Sequence, residues 1–396
     1  MNDHSSLISR IQAALRERDI PAWLFYGFRD IDPTALQILG FPPNPHVSRR
    51  WFYLIPAQGM PQKLVHRIES WQLDHLPGKK DVYLRWEELQ SGLTGMLRGV
   101  PRVAMQFSDH NNIPYISRVD AGTVDWIRHL GTQVVSSGDL VQLFDAVWDR
   151  GQLDQHRSTA QLITGIVAEA FQRTASAIAE GAGSDELSVQ RFILGRFAEE
   201  GLIAEHPPIV AVNQHSGDPH YSPTEDSSAR IKRGDWLLID LWAKPPEQGA
   251  VYADITWTGF FGEQIPEEHS KVFDVVRRAR DAGVDFLREK IEAGSAVEGW
   301  QVDDAVRKVI REAGYGEFFV HRTGHNLGQE VHGNGVNFDN LETHDTRRVI
   351  PGIACTIEPG VYLKPFGVRS ELNVAFLEDR VEVTTPPQEE LLRLPC

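Results

Sequence analysis

Two strongly apolar stretches, Trp236-Leu-Leu-Ile-Asp-Leu-Trp242 and Val251-Tyr-Ala-Asp-Ile-Thr-Trp257, each carry one acidic residue among large hydrophobic neighbours. Between them, Lys244-Pro-Pro-Glu-Gln-Gly249 can only form a turn. The two stretches therefore read as one hairpin with strands Asp235–Trp242 and Val251–Phe261. A carboxylate buried without a partner is costly, and this hairpin brings Asp240 and Asp254 close enough to repel each other. A shared cation removes the conflict, as would a shared proton or a nearby arginine.

Further along, His321-Arg-Thr-Gly-His325-Asn-Leu-Gly-Gln-Glu-Val-His332 places three histidines among glycines 324 and 328. Glycine argues against a helix, so a strand or tight loop is expected. On a strand, His321 and His325 point to one side, and His332 to the other unless a bulge near Gly328 resets the parity. Two more carboxylates follow in apolar surroundings. Glu358 lies in Cys355-Thr-Ile-Glu-Pro-Gly-Val-Tyr362, and Glu371 in Phe366-Gly-Val-Arg-Ser-Glu-Leu-Asn-Val374, with Arg369 on the same side. Each alone could be an edge-strand glutamate facing water. Four such carboxylates with one imidazole form a hard, oxygen-rich donor set, suited to Mn, Co, Fe or Zn rather than to Cu(I). They carry more charge than one divalent ion needs. Two bridged ions would clamp a water and lower its pKa for hydrolysis.

The chain can hold two or three domains in its 396 residues. Two cysteines, Cys355 and Cys396, make no disulfide framework and fit a reducing, cytoplasmic setting. The first residues lack the pattern of a secretory signal, and no apolar run is long enough to span a membrane. A formal charge of −15 argues against nucleic-acid binding. No nucleophile elbow, Walker lysine loop, dinucleotide fingerprint or paired Cys-x-x-Cys occurs.

Residues 1–150 alternate short strands (22–26, 51–55, 63–66, 82–84, 102–105) with helical patterns, beginning with a helix at 5–18; they read as one α/β domain. Gly40-Phe41-Pro42-Pro43 reads as a turn. Residues 151–396 form a second domain. It has helices at about 155–180, 185–200, 266–292 and 302–313, a strand within 206–215, a loop at 216–226 carrying His220, and mostly strand and turn from 318 to 383. His269 is expected to be solvated. Trp236, Trp242 and Trp257 read as core.

The ordered set Asp240, Asp254, His325, Glu358, Glu371 resembles the metallopeptidases that include Xaa-Pro aminopeptidases, prolidases and methionine aminopeptidases. Tyr252-Ala-Asp-Ile-Thr256, Thr323-Gly-His-Asn-Leu-Gly328, Ile357-Glu-Pro-Gly-Val-Tyr362 and Gly367-Val-Arg-Ser-Glu371 appear in that family's order. The resemblance covers about residues 155–385 and extends to an N-terminal domain similar to that of creatinase and prolidase. It implies an α/β (α+β) chain with a pita-bread catalytic domain. It also implies hydrolysis of the bond before proline, in a dipeptide or a longer peptide, by a hydroxide bridging two divalent ions, most simply Mn. Asp240 would bind one ion, Asp254 and Glu371 both, and His325 and Glu358 the second. Glu358 would also shuttle a proton. His220, His321 and His332 would contact the substrate, and Arg369 would support Glu371. A homodimer is implied as well.

This sequence departs from the family pattern in places. The interval from Asp240 to Asp254 is longer than usual. Asn326 stands where glycine is common, Gly333 where an acidic residue is common, and Leu372 where aspartate is frequent. A metal-free creatinase-like C–N hydrolase and a non-catalytic binding module of the same fold are the alternatives. Both tend to lose the metal ligands that are all present here.

Overall fold

The computed structural model describes residues 4–29, 31–42 and 45–396. The chain forms two compact units, Met1–Asp145 and Ala146–Cys396. Pro43, at the end of the expected Gly40–Pro43 turn, and the first three residues of the N-terminus lie outside the described residues.

The first unit contains α1 (His4–Glu17), β1 (Ala22–Gly27), α2 (Pro33–Ile38), β2 (Trp51–Pro56), β3 (Gln62–His66) and β4 (Lys79–Tyr83). It continues with α3 (Trp86–Met96), β5 (Arg102–Met105), α4 (Ala121–His129), β6 (Gln133–Ser136) and α5 (Gly138–Val141). Among the described residues its six strands form one mixed sheet in the order β4-β3-β2-β1-β5-β6. Strand alternation divides the sheet between two cores. Trp23 and Phe25 face one, with Ile11 and Leu15 of α1. Leu24 and Tyr26 face the other, with Leu89 and Leu93 of α3.

The second unit opens with α6 (Arg150–Ala179), β7 (Ser184–Asp185), α7 (Glu186–Glu199), β8 (Ile209–Val212), β9 (Arg230–Ile231), β10 (Trp236–Ala243) and β11 (Ala253–Phe260). Then come α8 (Glu267–Glu292), α9 (Gly299–Glu312), β12 (Asn326–Leu327), β13 (Ala354–Ile357), β14 (Gly360–Tyr362), β15 (Gly367–Arg369), β16 (Leu372–Phe376), β17 (Val381–Val383) and β18 (Leu392–Arg393). Its two principal sheets run β18-β11-β10-β8 and β12-β13-β16-β17. Helices α6 and α7 cover the first through Ile163, Val167, Phe171, Ile193 and Phe197. Helices α8 and α9 cover the second through Val284, Leu287 and Val302. Among the described residues, no helix is long and apolar enough to cross a membrane.

Three local expectations change. The strand within 206–215 is confined to Ile209–Val212, because the chain turns into a 3-10 helix over Asn213–Gly217. Around the histidines only Asn326–Leu327 is strand, so strand parity does not set where His321 and His325 point. His269 is half-buried rather than solvated, its ring stacked on Phe366 at 3.8 Å and 5.2 Å from that of Trp236. Trp236 is fully buried, and Trp242 and Trp257 are half-buried.

Candidate metal centre

Strands β10 and β11 pair antiparallel with Asp240 opposite Thr256 and Trp242 opposite Asp254. Opposed residues share a face, so Asp240 and Asp254 are diagonal neighbours on one side of the hairpin. The second sheet supplies the other donors: His325 immediately precedes β12, Glu358 immediately follows β13, and Glu371 immediately precedes β16. One ligand atom from each of Asp254, His325 and Glu371 lies within 4.8 Å of the other two. His325 Nε2 is 3.7 Å from Asp254 Oδ2 and 3.4 Å from Glu358 Oε1. Asp240 joins the group through Arg369, whose Nη2 donates to Asp240 Oδ2.

The group is buried and short of hydrogen-bond donors. Asp240, Asp254 and Glu371 are 8%, 5% and 1% exposed, and each has one oxygen (Asp240 Oδ1, Asp254 Oδ1, Glu371 Oε1) with no hydrogen-bond partner. Unpartnered buried acceptors of this kind cost free energy. Burial raises the pKa of Asp240 despite the opposing charge of Arg369. Burial, then Asp240 and Glu358, raise Asp254 well above the carboxylate range. Burial, then Asp254, does the same to Glu371. Glu358 is pushed up to about 7, chiefly by burial. Burial also pulls His325 well below the usual histidine range. Its Nδ1–H donates to the Asn326 carbonyl at 3.2 Å, which leaves the Nε2 lone pair facing the carboxylates, the tautomer that binds metal. Orphaned oxygens beside a neutral imidazole fit a cation.

Residues that the sequence reading left without a role hold these donors in place. Thr256 Oγ1 donates to Glu371 Oε2 at 2.8 Å and accepts from Arg369 Nε at 3.0 Å. Arg369 thus reaches Glu371 through a threonine, while its direct partner is Asp240. Asn373 grips the backbone of Asp254 twice: its Oδ1 accepts from the Asp254 N–H at 3.0 Å, and its Nδ2 donates to the Asp254 carbonyl at 2.7 Å. Thr356 Oγ1 accepts from His325 N–H at 2.9 Å and donates to Glu358 Oε1 at 3.2 Å. The period-2 spacing from Asp254 to Thr256 was a signal for the first of these; nothing local marked the other two.

The remaining candidates take different places. His321 lies outside the cluster. Its Nδ1–H donates to the Arg322 carbonyl and its Nε2 accepts from the Tyr362 hydroxyl, both at 2.7 Å. Burial and then Arg369 pull its pKa to about 3. Tyr362 in turn accepts from Arg369 Nη1 at 3.1 Å. Asp303 and Arg307 of α9 fix this segment by holding Thr323 and the carbonyls of Phe319 and His321. His332 is exposed and meets His325 edge-on, ring centres 4.4 Å apart. His220 is exposed in the turn after the 3-10 helix.

Two departures from the family pattern explain each other. The Asn326 side chain donates to the Ala354 carbonyl and accepts from Gly335 N–H. A Cβ at position 333 would meet its Oδ1 at 2.3 Å. With asparagine at 326, only glycine fits at 333.

A model of metallopeptidase family M24 matches residues 160–385, which is more than half of the chain and contains all five candidate ligands. The chain belongs to metallopeptidase family M24. Over 189 residues it is 32% identical to the Xaa-Pro dipeptidase of Pyrococcus furiosus, covering 46% of this chain and 48% of that protein. It is 27% identical over 270 residues to the putative dipeptidase YkvY of Bacillus subtilis, covering 67% of each. The matched stretch is thus about half the length of the Pyrococcus relative. Among solved structures, the dipeptidase PepE from Mycobacterium ulcerans superposes with a TM-score of 0.72 at 23% identity, over 99% of this chain and 98% of that one. Escherichia coli aminopeptidase P in complex with substrate gives 0.58 at 16% identity, over 96% and 94%. These likenesses establish the pita-bread fold.

Proposed function

We propose that this M24 member is a hydrolase with two divalent ions, cleaving the peptide bond before proline in Xaa-Pro dipeptides. The observation that carries the reading is the set Asp240, Asp254, His325, Glu358 and Glu371, all buried but the partly exposed Glu358, with three carboxylate oxygens lacking a partner. Four carboxylates against one guanidinium leave a net negative charge larger than a single divalent ion offsets, which leaves room for a second. Oxygen-rich ligation with one imidazole favours Mn, with Co, Zn or Fe as alternatives. The printed names of relatives, an Xaa-Pro dipeptidase and a putative dipeptidase, support the substrate class.

Asp240, Asp254, His325, Glu358 and Glu371 would hold the ions, which when bound polarise the scissile carbonyl and acidify the attacking water. Glu358 would take that proton on a carboxylate oxygen and return it to the leaving nitrogen, acting as general base and then as general acid. Exposed His220 and His332 contact the peptide at the rim. His321 orients Tyr362, which faces the same Arg369 that fixes Asp240. Two copies of the chain associate: Val82 near the end of β4, with Leu84 and Trp86 beyond it, are exposed apolar side chains that a partner would cover. Free Cys355 and Cys396 suit the cytoplasm.

Elemental analysis of the purified protein, combined with hydrolysis of an Xaa-Pro dipeptide and a longer Xaa-Pro peptide with and without Mn²⁺, tests this. About two metals per chain and metal-dependent dipeptide cleavage are expected. Preference for the longer peptide would make it an aminopeptidase. Full activity of Asp254→Ala would refute the metal centre, and absence of metal after reconstitution would favour a creatinase-like enzyme or a binding module.

A further inference from the structure

Glu186, at the start of α7, is a fully buried carboxylate outside the metal centre and surrounded by donors. Its Oε1 accepts from Val212 N–H at 2.7 Å and His215 Nδ1–H at 2.8 Å. Its Oε2 accepts from the Tyr221 hydroxyl at 2.7 Å and Ala229 N–H at 2.8 Å. These donors come from the end of β8, the 3-10 helix, the loop beyond it and the residues leading into β9. One carboxylate thus ties together both ends and the middle of the segment 212–229.

His220 lies inside that segment, bracketed by the two side chains that Glu186 holds. The rings of His215 and Tyr221 stack at 4.3 Å. Between them the chain makes a tight turn: Asp218 N–H donates to the His215 carbonyl at 3.1 Å, Tyr221 N–H to the Asp218 carbonyl at 3.2 Å, and His220 N–H to Asp218 Oδ1 at 3.0 Å. On its other side the turn meets the metal centre, where Arg369 Nη1 lies 3.4 Å from the Pro219 carbonyl. Ser216 Oγ accepts from Gly367 N–H at 2.8 Å, two residues before that arginine. The exposed imidazole therefore stands on a backbone fixed from below by Glu186 and from the side by β15.

We propose that Glu186 is a positioning residue for the hydrolytic reaction, setting the place of His220 over the metal centre by clamping His215 and Tyr221. The proposal rests on the hydrolase reading above. Glu186 touches no substrate; it acts through His220. Glu186→Gln preserves shape but turns an amide NH₂ toward two of the donors, so the turn loosens. A displacement of about 1 Å at a substrate-contacting group costs up to about a hundredfold in rate.

The test is a double-mutant cycle on the Mn²⁺-loaded protein, with an Xaa-Pro dipeptide as substrate. Glu186→Gln and His220→Ala should each lower kcat/KM by about ten- to a hundredfold. The double variant should be no worse than His220→Ala alone, because the first change acts only through the second residue. Metal content should equal wild type in all three. Should Glu186→Gln fail to fold, Tyr221→Phe, which removes one donor and leaves the carboxylate, serves in the same cycle with a smaller fall. Additive losses, activity of Glu186→Gln within twofold of wild type, or a fully active His220→Ala would overturn the proposal alone. A wild-type protein that binds metal yet cleaves no Xaa-Pro substrate would overturn the function and the proposal together.

Discussion

Replacing Asp254 by asparagine should stabilise the metal-free protein while abolishing its response to metal. Asp254 is 5% exposed, and burial together with Asp240 and Glu358 keeps its carboxyl protonated well above the usual range. Without a cation the folded chain retains a proton that the unfolded chain, with an aspartate pKa of about 3.9, has released. The folded state binds the extra proton, so this contribution is fully present below the unfolded pKa and is lost as pH rises. One retained proton costs about 1.4 kcal/mol per pH unit. Each pH unit over which the proton is retained lowers the melting midpoint of a unit of roughly 250 residues by about 3 °C. Asparagine has the same shape and nothing to titrate. In EDTA, thermal unfolding of Asp254→Asn should lack that share of the slope and lie above wild type at neutral pH. On addition of Mn²⁺ the order should reverse, since ligand at about a thousandfold over Kd stabilises only the competent site, by about 4 kcal/mol. A variant that melts below wild type in EDTA at neutral pH, or that keeps the wild-type pH slope, would refute this account of the site.

Other outcomes follow from neighbouring contacts. His156 is fully buried between the Tyr252 carbonyl and Thr384 Oγ1, and burial pulls its pKa to about 4. The unfolded chain therefore takes up this proton first, so stability is lost as pH falls from about 6.5 to about 4, by about 3 kcal/mol in total; urea titrations at both ends should show His156→Gln missing that share. Thr256→Val strands Glu371 Oε2 and Arg369 Nε, and calorimetric Mn²⁺ affinity should fall about ten- to a hundredfold, as loss of a supporting hydrogen bond does. Gly333→Asp should cost about 1–3 kcal/mol by overpacking, and Asn326→Gly in the same chain should relieve most of it, because the Asn326 side chain is what the new Cβ meets. Thiol reagents should label native Cys396 and spare Cys355, which is fully buried with its thiol pKa pushed up by that burial.

Long apolar strands and periodic helices made most of the architecture readable from residues alone. The Lys244–Gly249 turn announced the β10–β11 pairing, whereas Asp149 opens α6 with a capping box ahead of the helix start expected at about 155. The acids Asp240 and Asp254 were legible because charge inside apolar strands demands a partner. The positions of His321 and His332 were not. They lie in irregular backbone whose path is set by Asp303, Arg307 and Asn326, contacts remote in sequence or made by loop residues. Glu186 was hidden for a different reason: an acid in the first turn of a helix is unremarkable, and only the fold reveals that a distant loop hangs on it.

The ligand set is divided between two sheets, with Asp240 and Asp254 on one and His325, Glu358 and Glu371 bordering the other. Each sheet has its own hydrophobic core and its own helices. A further core of Tyr252, Leu327, Ala354 and Ala375 spans them, and bound ions would act as added rivets through that seam. Affinity for the ion and cohesion of the catalytic unit then become one quantity seen from two sides. A cell that starves this protein of metal would loosen the seam as well as silence the chemistry.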